Sequence, residues 1–344
     1  MRFIHTADLH LGRIYKGELP IDIMKIRKEE LWQNFENTVN LCIKEKIDLL
    51  LISGDVYERE YFTVKDIRRF AEILNRLKET ECFILPGNHD YIDKDSLYYK
   101  VDFNNNIHIF NEFKYVDLIS LGVRVHGVPW NKSEININYN FELSNDLKNI
   151  IMIHGTVKGK DYCPVDMEKL KNDNISYIAL GHIHKREKIS ENCYYPGSPE
   201  GLNFKETGNH GIIVGEIDNN LSIGFINTQI RKYNQFEIEL KDSDNITYIK
   251  EKLLEKLEGK ENDLNRINFK GNYNNTDYLI EIMKSLNGFF YNEFIDNTDF
   301  IIDVEQLYKE NSDNIIGEFI DASRNSKDIM KIGLKALMEE QDDN

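Results

Sequence analysis

The stretch from Ile47 to Asp55 constrains this chain more than any other. Ile47 to Ile52 is an apolar run broken only by Asp48, and Ser53-Gly54-Asp55 follows it. A short apolar run without polar alternation reads as a strand buried on both faces. A carboxylate just past such a strand lies among the loops at the sheet edge, where α/β folds keep their chemistry. Asp55 is therefore the residue around which the other polar motifs have to be arranged.

The same unit recurs along the first half of the chain. Arg2 to Thr6 reads as a strand, and its loop, Ala7 to Gly12, carries Asp8 and His10. Lys25 to Glu45 repeats apolar residues (Ile26, Leu31, Phe35, Val39, Cys42, Ile43) at helical spacing. Val64 to Lys78 reads as a second amphipathic helix with Thr63 as its N-cap. Cys82 to Leu85 is a third strand, which Pro86-Gly87 turns into Asn88-His89-Asp90.

Beyond this the pattern changes. Tyr115 to Ser120 and Val123 to Val128 read as a hairpin. Ile150 to Ile153 is a strand ending at His154, and Tyr177 to Leu180 is a strand ending at Gly181-His182. Between them, Pro164 to Lys171 is expected to be a helix with proline at its first position. Short strands follow at Tyr194-Tyr195, Gly211 to Ile217 and Leu221 to Ile226. The expected class is α/β (α+β): a two-sheet mixed β-sandwich flanked by helices, rather than a simple doubly wound sheet.

Near residue 230 the composition shifts toward Asn, Asp, Glu and Lys, and no further His or Pro occurs. Strands at Phe236 to Leu240, Arg266 to Phe269 and Phe289 to Phe294 alternate with helices at Ile246 to Leu257 and Thr276 to Leu286. That β-α-β-α-β order implies a small α/β domain. With 344 residues the chain has room for two domains, expected at 1–230 and 231–344. A last helix, Lys327 to Met338, follows Ser326 as N-cap, and the acidic tail after Glu339 is expected to fray.

No window has the 18 or more apolar residues of a membrane span. Met1-Arg2-Phe3-Ile4-His5 already belongs to a strand, so no signal peptide is expected. Cys42, Cys82, Cys163 and Cys193 are scattered, as free thiols in a reducing cytosol would be, which implies a cytoplasmic protein. Net charge is -16, which repels nucleic acid at long range. Local cations run against that balance. Arg13 and Lys16 follow one polar motif, and Lys185, Arg186 and Lys188 follow another; Arg13, Lys185 and Arg186 are the candidate substrate contacts.

Taken as chemistry, the strand-end residues form a ligand set. A binuclear hydrolytic site needs hard oxygen and imidazole donors, a bridging carboxylate, and open positions for water and substrate. Asp8 and His10 are two residues apart and suit one ion, joined by His184. Asp55 bridges. Asn88 offers an amide oxygen, and His154 and His182 suit the second ion. Each alone has an ordinary structural explanation, such as a hydrogen-bonded core histidine or a turn asparagine. The joint pattern does not. His5, His108 and His126 stay outside the set as structural residues. Gly155-Thr156-Val157-Lys158-Gly159-Lys160 is not a phosphate loop, because Asp161 stands where Ser or Thr is required.

The ordered set Asp-x-His, Gly-Asp, Gly-Asn-His-Asp, His-Gly and Gly-His-x-His resembles the signature of the calcineurin-like metallophosphoesterases. More narrowly, His5-Thr6-Ala7-Asp8-Leu9-His10-Leu11-Gly12 and Tyr195-Pro196-Gly197-Ser198-Pro199 resemble the SbcD nucleases and their meiotic-recombination-eleven type relatives. The resemblance covers residues 1 to about 228; beyond that, Arg266-Ile267-Asn268 is similar to the YhaO-like bacterial branch.

It implies a DNA exo/endonuclease of double-strand-break repair or recombination. It also implies two divalent ions, manganese by preference. His89 would be the catalytic residue that protonates the leaving 3′ oxygen. Implied partners are DNA, an SbcC-type coiled-coil ATPase and a second copy of the chain, with no membrane. The C-terminal domain would cap the nuclease domain and contact DNA. The alternative is a small-molecule or cyclic-nucleotide phosphodiesterase on the same metals, which the net charge favours.

The chain departs from the pattern in two places. After Asp55 it reads Val56-Tyr57-Glu58-Arg59-Glu60, so Glu58 stands where some relatives place a histidine. His210 replaces the usual basic residue before Gly211.

Overall fold

Alternate residues of Leu49–Ser53 enter two different cores. Leu49 and Leu51 pack into one, and Leu50 and Ile52 into the other. Only a strand in the middle of a layered structure does this. The computed structural model describes residues 1–15, 17–132, 137–157, 159, 163–273, 276–299, 304–326, 329–330, 332–334 and 336–337. The chain divides into two units, Met1–Tyr233 and Asn234–Asn344.

The first unit begins with β1 (Arg2–Thr6), α1 (Ile21–Glu45), β2 (Leu49–Ser53), α2 (Val64–Leu74) and β3 (Glu81–Leu85). It continues through β4 (Ile107–Ile109), β5 (Lys114–Leu118), β6 (Val123–Val128), β7 (Lys148–His154) and β8 (Ile175–Gly181). It ends with β9 (Glu187–Ser190), β10 (Cys193–Tyr195), β11 (Gly211–Ile217) and β12 (Leu221–Asn227). Two six-stranded mixed sheets result, ordered β12-β11-β1-β2-β3-β4 and β5-β6-β7-β8-β10-β9.

Phe3, Leu49, Leu51, Phe83 and Leu85 of the first sheet meet Val125, Ile150, Met152, Tyr177 and Ala179 of the second. On the first sheet's other face, Ile4, Leu50, Ile52 and Ile84 are covered by Leu31, Trp32, Phe35 and Val39 of α1 and by Ile67, Phe70 and Leu74 of α2. The second sheet's outer face carries Ile151, Ile153, Ile178 and Leu180 under Val165 and Leu170. The two-sheet sandwich with flanking helices is the architecture expected from the sequence.

Strand direction positions the site. β1, β2 and β3 are parallel neighbours, and so are β6, β7 and β8. Parallel strands end at the same sheet edge, so every polar motif that follows one of them emerges at one rim.

Some elements differ from expectation. α1 starts at Ile21 directly after Pro20, earlier than the apolar spacing suggests. α2 stops at Leu74 because the Asn75 side chain turns to bond Asp102 O and the Asn104 backbone N–H. The expected helix from Pro164 is a single 3-10 turn, Met167–Leu170. The Val165 N–H donates to Thr156 O, which pins the chain in an extended bridge. Asp166 then accepts the Glu168 N–H, so only one turn forms.

The second unit contains β13 (Tyr233–Lys241, whose first residue belongs to the first unit), α3 (Ile246–Leu257), β14 (Leu264–Asn272), α4 (Thr276–Ser285) and β15 (Tyr291–Asp299). The three strands form one sheet ordered β13-β14-β15. Ile238, Leu240, Ile267 and Phe269 pack against Ile249, Leu253 and Leu257 of α3 and Leu279 and Ile282 of α4. Two short helices follow, α5 (Val304–Asn311) and α6 (Ile315–Ser323), which the sequence pattern did not anticipate. Of the expected last helix, residues 329–330, 332–334 and 336–337 are helical; the remainder, and the tail, lie outside the described residues. Among the described residues, no helix is long and apolar enough to cross a membrane. The four cysteines are buried and unpaired.

Candidate metal centre

Each strand end delivers one part of the site. β1 runs into Asp8 and His10, β2 into Asp55, and β3 into Asn88 and His89; β7 ends on His154, and β8 leads to His182 and His184. The loops stay hydrogen-bonded to each other past the sheet. Asp8 N–H donates to Gly54 O at 3.0 Å, His10 N–H to Asp55 O at 3.0 Å, and Leu11 N–H to Val56 O at 2.9 Å. This holds the chain in backbone shapes that L-residues avoid. Asp8, His10, Asp55 and His182 have φ of 56°, 45°, 51° and 99°. Left-handed backbone costs about 1–3 kcal/mol per non-glycine residue and persists only where the surroundings over-determine it. Gly54 goes further, with φ of 95°, and a Cβ there would sit 2.0 Å from His154 Nδ1. Only glycine allows β2 to end against that imidazole.

All seven candidate ligands come together. Asp8, His10 and His184 offer ligand atoms within 4.8 Å of one another, and so do Asp55, His154 and His182. Asp55 lies between the two groups. Its Oδ2 is 3.3 Å from His154 Nε2 and 3.8 Å from His10 Nε2. Asn88 Oδ1 is 3.1 Å from His154 Nε2 and 3.2 Å from His182 Nδ1. The carboxylates are aimed by backbone donors. Asp55 Oδ1 accepts the His89 N–H at 3.0 Å, and Asp8 accepts the His182 N–H at 3.0 and 3.1 Å.

The outward nitrogens settle how the imidazoles are used. His10 Nδ1 donates to Glu58 Oε1 at 2.8 Å, His184 Nδ1 to Glu206 Oε1 at 3.0 Å, and His154 Nδ1 to Ser53 O at 2.9 Å. In the neutral imidazole, that leaves each Nε2 with a lone pair. His10 Nε2 and His184 Nε2 then face one another at 3.1 Å. Two lone pairs converging on one point need a proton or a metal cation between them, and the donor set fits divalent cations. Imidazole ligands held through their second nitrogen are the usual arrangement in metal sites.

The charges agree. Burial opposes a charged His154, but the Asp55 carboxylate outweighs it and lifts the imidazole to about 9. Burial also pushes Asp55 up, yet His154 and His10 hold it below the usual carboxylate range. His182 is pushed down to about 4 by burial and by its neighbour His154.

His89 lies at the mouth, 41% exposed. Its Nδ1 is 2.8 Å from Glu58 Oε2, and this bond is the main reason its pKa rises to about 9. Glu58 therefore grips His10 with one oxygen and His89 with the other. Sequence reasoning noted Glu58 only as a departure; the Gly-Asp-x-x-Glu spacing was the available signal. Asp90 was also missed as an anchor. It is buried and accepts from Gly87 N–H at 2.7 Å, Val56 N–H at 3.1 Å and Tyr98 O–H at 2.6 Å.

Of the candidate substrate contacts, Arg13 lies 4.0 Å from Glu58 and 3.6 Å from Glu18. Arg186 stacks on Phe225 at 4.1 Å, and Lys185 is exposed. Lys16, Lys158, Lys160 and Asp161 lie outside the described residues. His5 is buried and bonded to Tyr177 Oη and Leu180 O, away from both groups.

The chain is similar to an uncharacterized metallophosphoesterase, YhaO, of Bacillus subtilis: 26% identical over 267 residues, 72% of this chain and 65% of that protein. It therefore spans just under two thirds of that relative's length. It is 28% identical over 271 residues to the DNA double-strand break repair protein Mre11 of Methanocaldococcus jannaschii, covering 70% of each. It is 24% identical over 278 residues to a component of the nuclease SbcCD of Staphylococcus epidermidis, covering 69% of this chain and 72% of that one. The calcineurin-like phosphoesterase model matches residues 1–186, more than half of the chain and all of the strand-end motifs through His184. On that match, the chain belongs to the calcineurin-like phosphoesterase family, a family of metal-dependent hydrolases.

Proposed function

We propose that this protein is a metal-dependent phosphodiesterase that hydrolyses DNA phosphodiester bonds, as an exo/endonuclease in double-strand-break repair or recombination. One observation carries the hydrolytic part: two donor groups lie side by side, with Asp55 Oδ2 of one 3.8 Å from His10 Nε2 of the other, and the exposed His89 stands beside them on the Glu58 carboxylate. The names of two relatives, a DNA double-strand break repair protein and a nuclease component, support the DNA part.

Asp8, His10 and His184 would hold one divalent cation and His154, His182 and Asn88 the other, with Asp55 between them. When bound, the pair supplies Lewis-acid charge for the phosphate and a water nucleophile at neutral pH. Mn²⁺ is the proposed metal. The chain's own residues do the rest. Backbone N–H groups of His89 and His182 fix the two carboxylates. Glu58 holds His89 Nδ1, which leaves Nε2 to give its proton to the leaving 3′ oxygen as the P–O3′ bond breaks. Arg13, Lys185 and Arg186 would contact the phosphate backbone. The second unit would contact DNA. A coiled-coil ATPase of SbcC type and a second copy of this chain complete the proposed assembly.

The net charge of -16 favours a second reading, a small-molecule or cyclic-nucleotide phosphodiesterase on the same centre. One experiment separates them. With Mn²⁺ the protein should degrade linear double-stranded DNA, and EDTA should stop it. Hydrolysis of bis-p-nitrophenyl phosphate with no cleavage of DNA, even with the ATPase supplied, would overturn the nuclease reading.

A further inference from the structure

His184 is gripped at two places by one loop. Its ring Nδ1 donates to Glu206 Oε1 at 3.0 Å. Its backbone carbonyl accepts the Ser198 N–H at 3.0 Å. Both partners lie on the connection between β10 and β11, which otherwise carries no strand or helix.

Glu206 is built to hold still. Its Oε2 accepts the Leu202 N–H at 3.0 Å, and its Oε1 also accepts Asn203 Nδ2 at 2.7 Å. Its own N–H donates to Asn203 O at 3.0 Å, closing a tight turn. The other grip depends on Gly197. With φ of 79°, it passes so close to the ligand loop that a Cβ would lie 2.7 Å from His184 O and 2.8 Å from Arg186 N.

A third side chain ties the grips together. His210 Nε2–H donates to Glu206 O at 3.0 Å, and His210 Nδ1 lies 3.0 Å from Ser198 Oγ and 3.1 Å from Ser198 O. The ring is buried, and its backbone N–H donates to the Gln229 side chain. Glu206, His210 and Ser198 therefore form a closed circuit around His184.

We propose that Glu206 is a positioning residue for His184, and that His210 braces it, so that the 196–210 loop sets the affinity of one of the two cation positions and not the other. The geometry gives the reason. An imidazole whose Nδ1–H has a fixed acceptor keeps its Nε2 lone pair in one direction; without the acceptor the ring can change tautomer or rotate. This inference rests on His184 being a ligand.

The test is calorimetric titration of the metal-free full chain with Mn²⁺, alongside the denaturant midpoint of the same metal-free samples. Glu206→Ala should weaken one position by about 10–100-fold, leave the other unchanged, and leave the metal-free midpoint close to wild type. Glu206→Gln keeps an oxygen acceptor and should recover much of the loss; it also serves if the alanine variant folds poorly. His210→Ala should weaken the same position less. Adding it to Glu206→Ala should cost little more, because both act through one ring. His184→Ala identifies the position affected. If His184→Ala weakens a position and neither Glu206 variant does, the clamp is wrong and the ligand assignment stands. If His184→Ala changes neither position, the ligand assignment fails and the clamp fails with it. Equal weakening of both positions by Glu206→Ala also overturns the proposal.

Discussion

Glu58 Oε2 lies 2.8 Å from His89 Nδ1, while the same carboxylate takes His10 Nδ1 on Oε1 at 2.8 Å. One side chain thus joins a candidate ligand to the candidate acid. Burial alone would raise Glu58, but its two imidazole partners hold it below the usual carboxylate range.

That link can be divided by a double-mutant cycle. His89→Ala should retain both cations, counted by elemental analysis, and lose about 10²–10⁴-fold in turnover. Glu58→Gln should lose about 10–100-fold. If Glu58 acts only through His89, the double variant turns over no more slowly than His89→Ala. Any further loss, with weaker metal binding, measures the His10 branch. Loss of metal in His89→Ala alone would make His89 a ligand instead.

Asp55 stands between the two donor groups, so its removal should differ in kind from removal of a one-sided ligand. Asp55→Asn is expected to release both cations, whereas His182→Ala or His184→Ala should each release only one. Elemental analysis after desalting distinguishes these outcomes. An Asp55→Asn protein that keeps a full complement of metal would remove the bridging role.

A buried ion pair fixes the segment after the site. Arg27 on α1 bonds Glu200 Oε2 at 2.9 Å and Gly201 O at 3.0 Å, and both charged side chains are fully buried. Glu200→Ala leaves Arg27 with Glu30 Oε2 at 2.5 Å but removes a buried charge-assisted bond, worth about 1.5–3 kcal/mol. Glu200→Ala should lower stability by that amount in urea unfolding of the metal-free protein. A change under about 1 kcal/mol would mean the network is not a tie, because surface substitutions alone reach about half that.

His126 predicts a pH dependence. It lies on β6 with its pKa pushed down to about 4, mainly by burial. A histidine whose folded pKa lies below its unfolded value of about 6.5 favours the fold fully above that pH, and its contribution is lost as pH falls toward the folded value. Metal-free stability should therefore decline between about pH 6.5 and 4, with His126 supplying up to about 1.4 kcal/mol per pH unit. His126→Gln should flatten that slope relative to wild type. Identical slopes would show that His126 does not carry it.

Much of the first unit was legible in the residues. Leu49 to Ile52 could only be a doubly buried strand, and Thr63 does cap α2, in a reciprocal pair with Asp66. Elements whose shape depends on distant partners were not legible. Pro164 looked like a helix start, but Val165 spends its N–H on Thr156. Strands β4 and β9 are short edge strands, and short segments carry too little periodicity to be recognised. α5 buries no side chain, and α6, although Ile315, Ile316, Phe319 and Ile320 are apolar, is only nine residues long.

The site divides the same way. By itself the sequence determined which side chains could bind metal and that they follow strands, because both facts are local: residue type and hydrophobic period. It could not determine which nitrogen of each imidazole faces inward. That was decided by Glu58, Glu206 and Ser53 O, which reach His10, His184 and His154 across 48, 22 and 101 positions of the chain. A hydrogen bond made across such separations is set by how two parallel sheet edges meet, and nothing near either residue in the sequence encodes it.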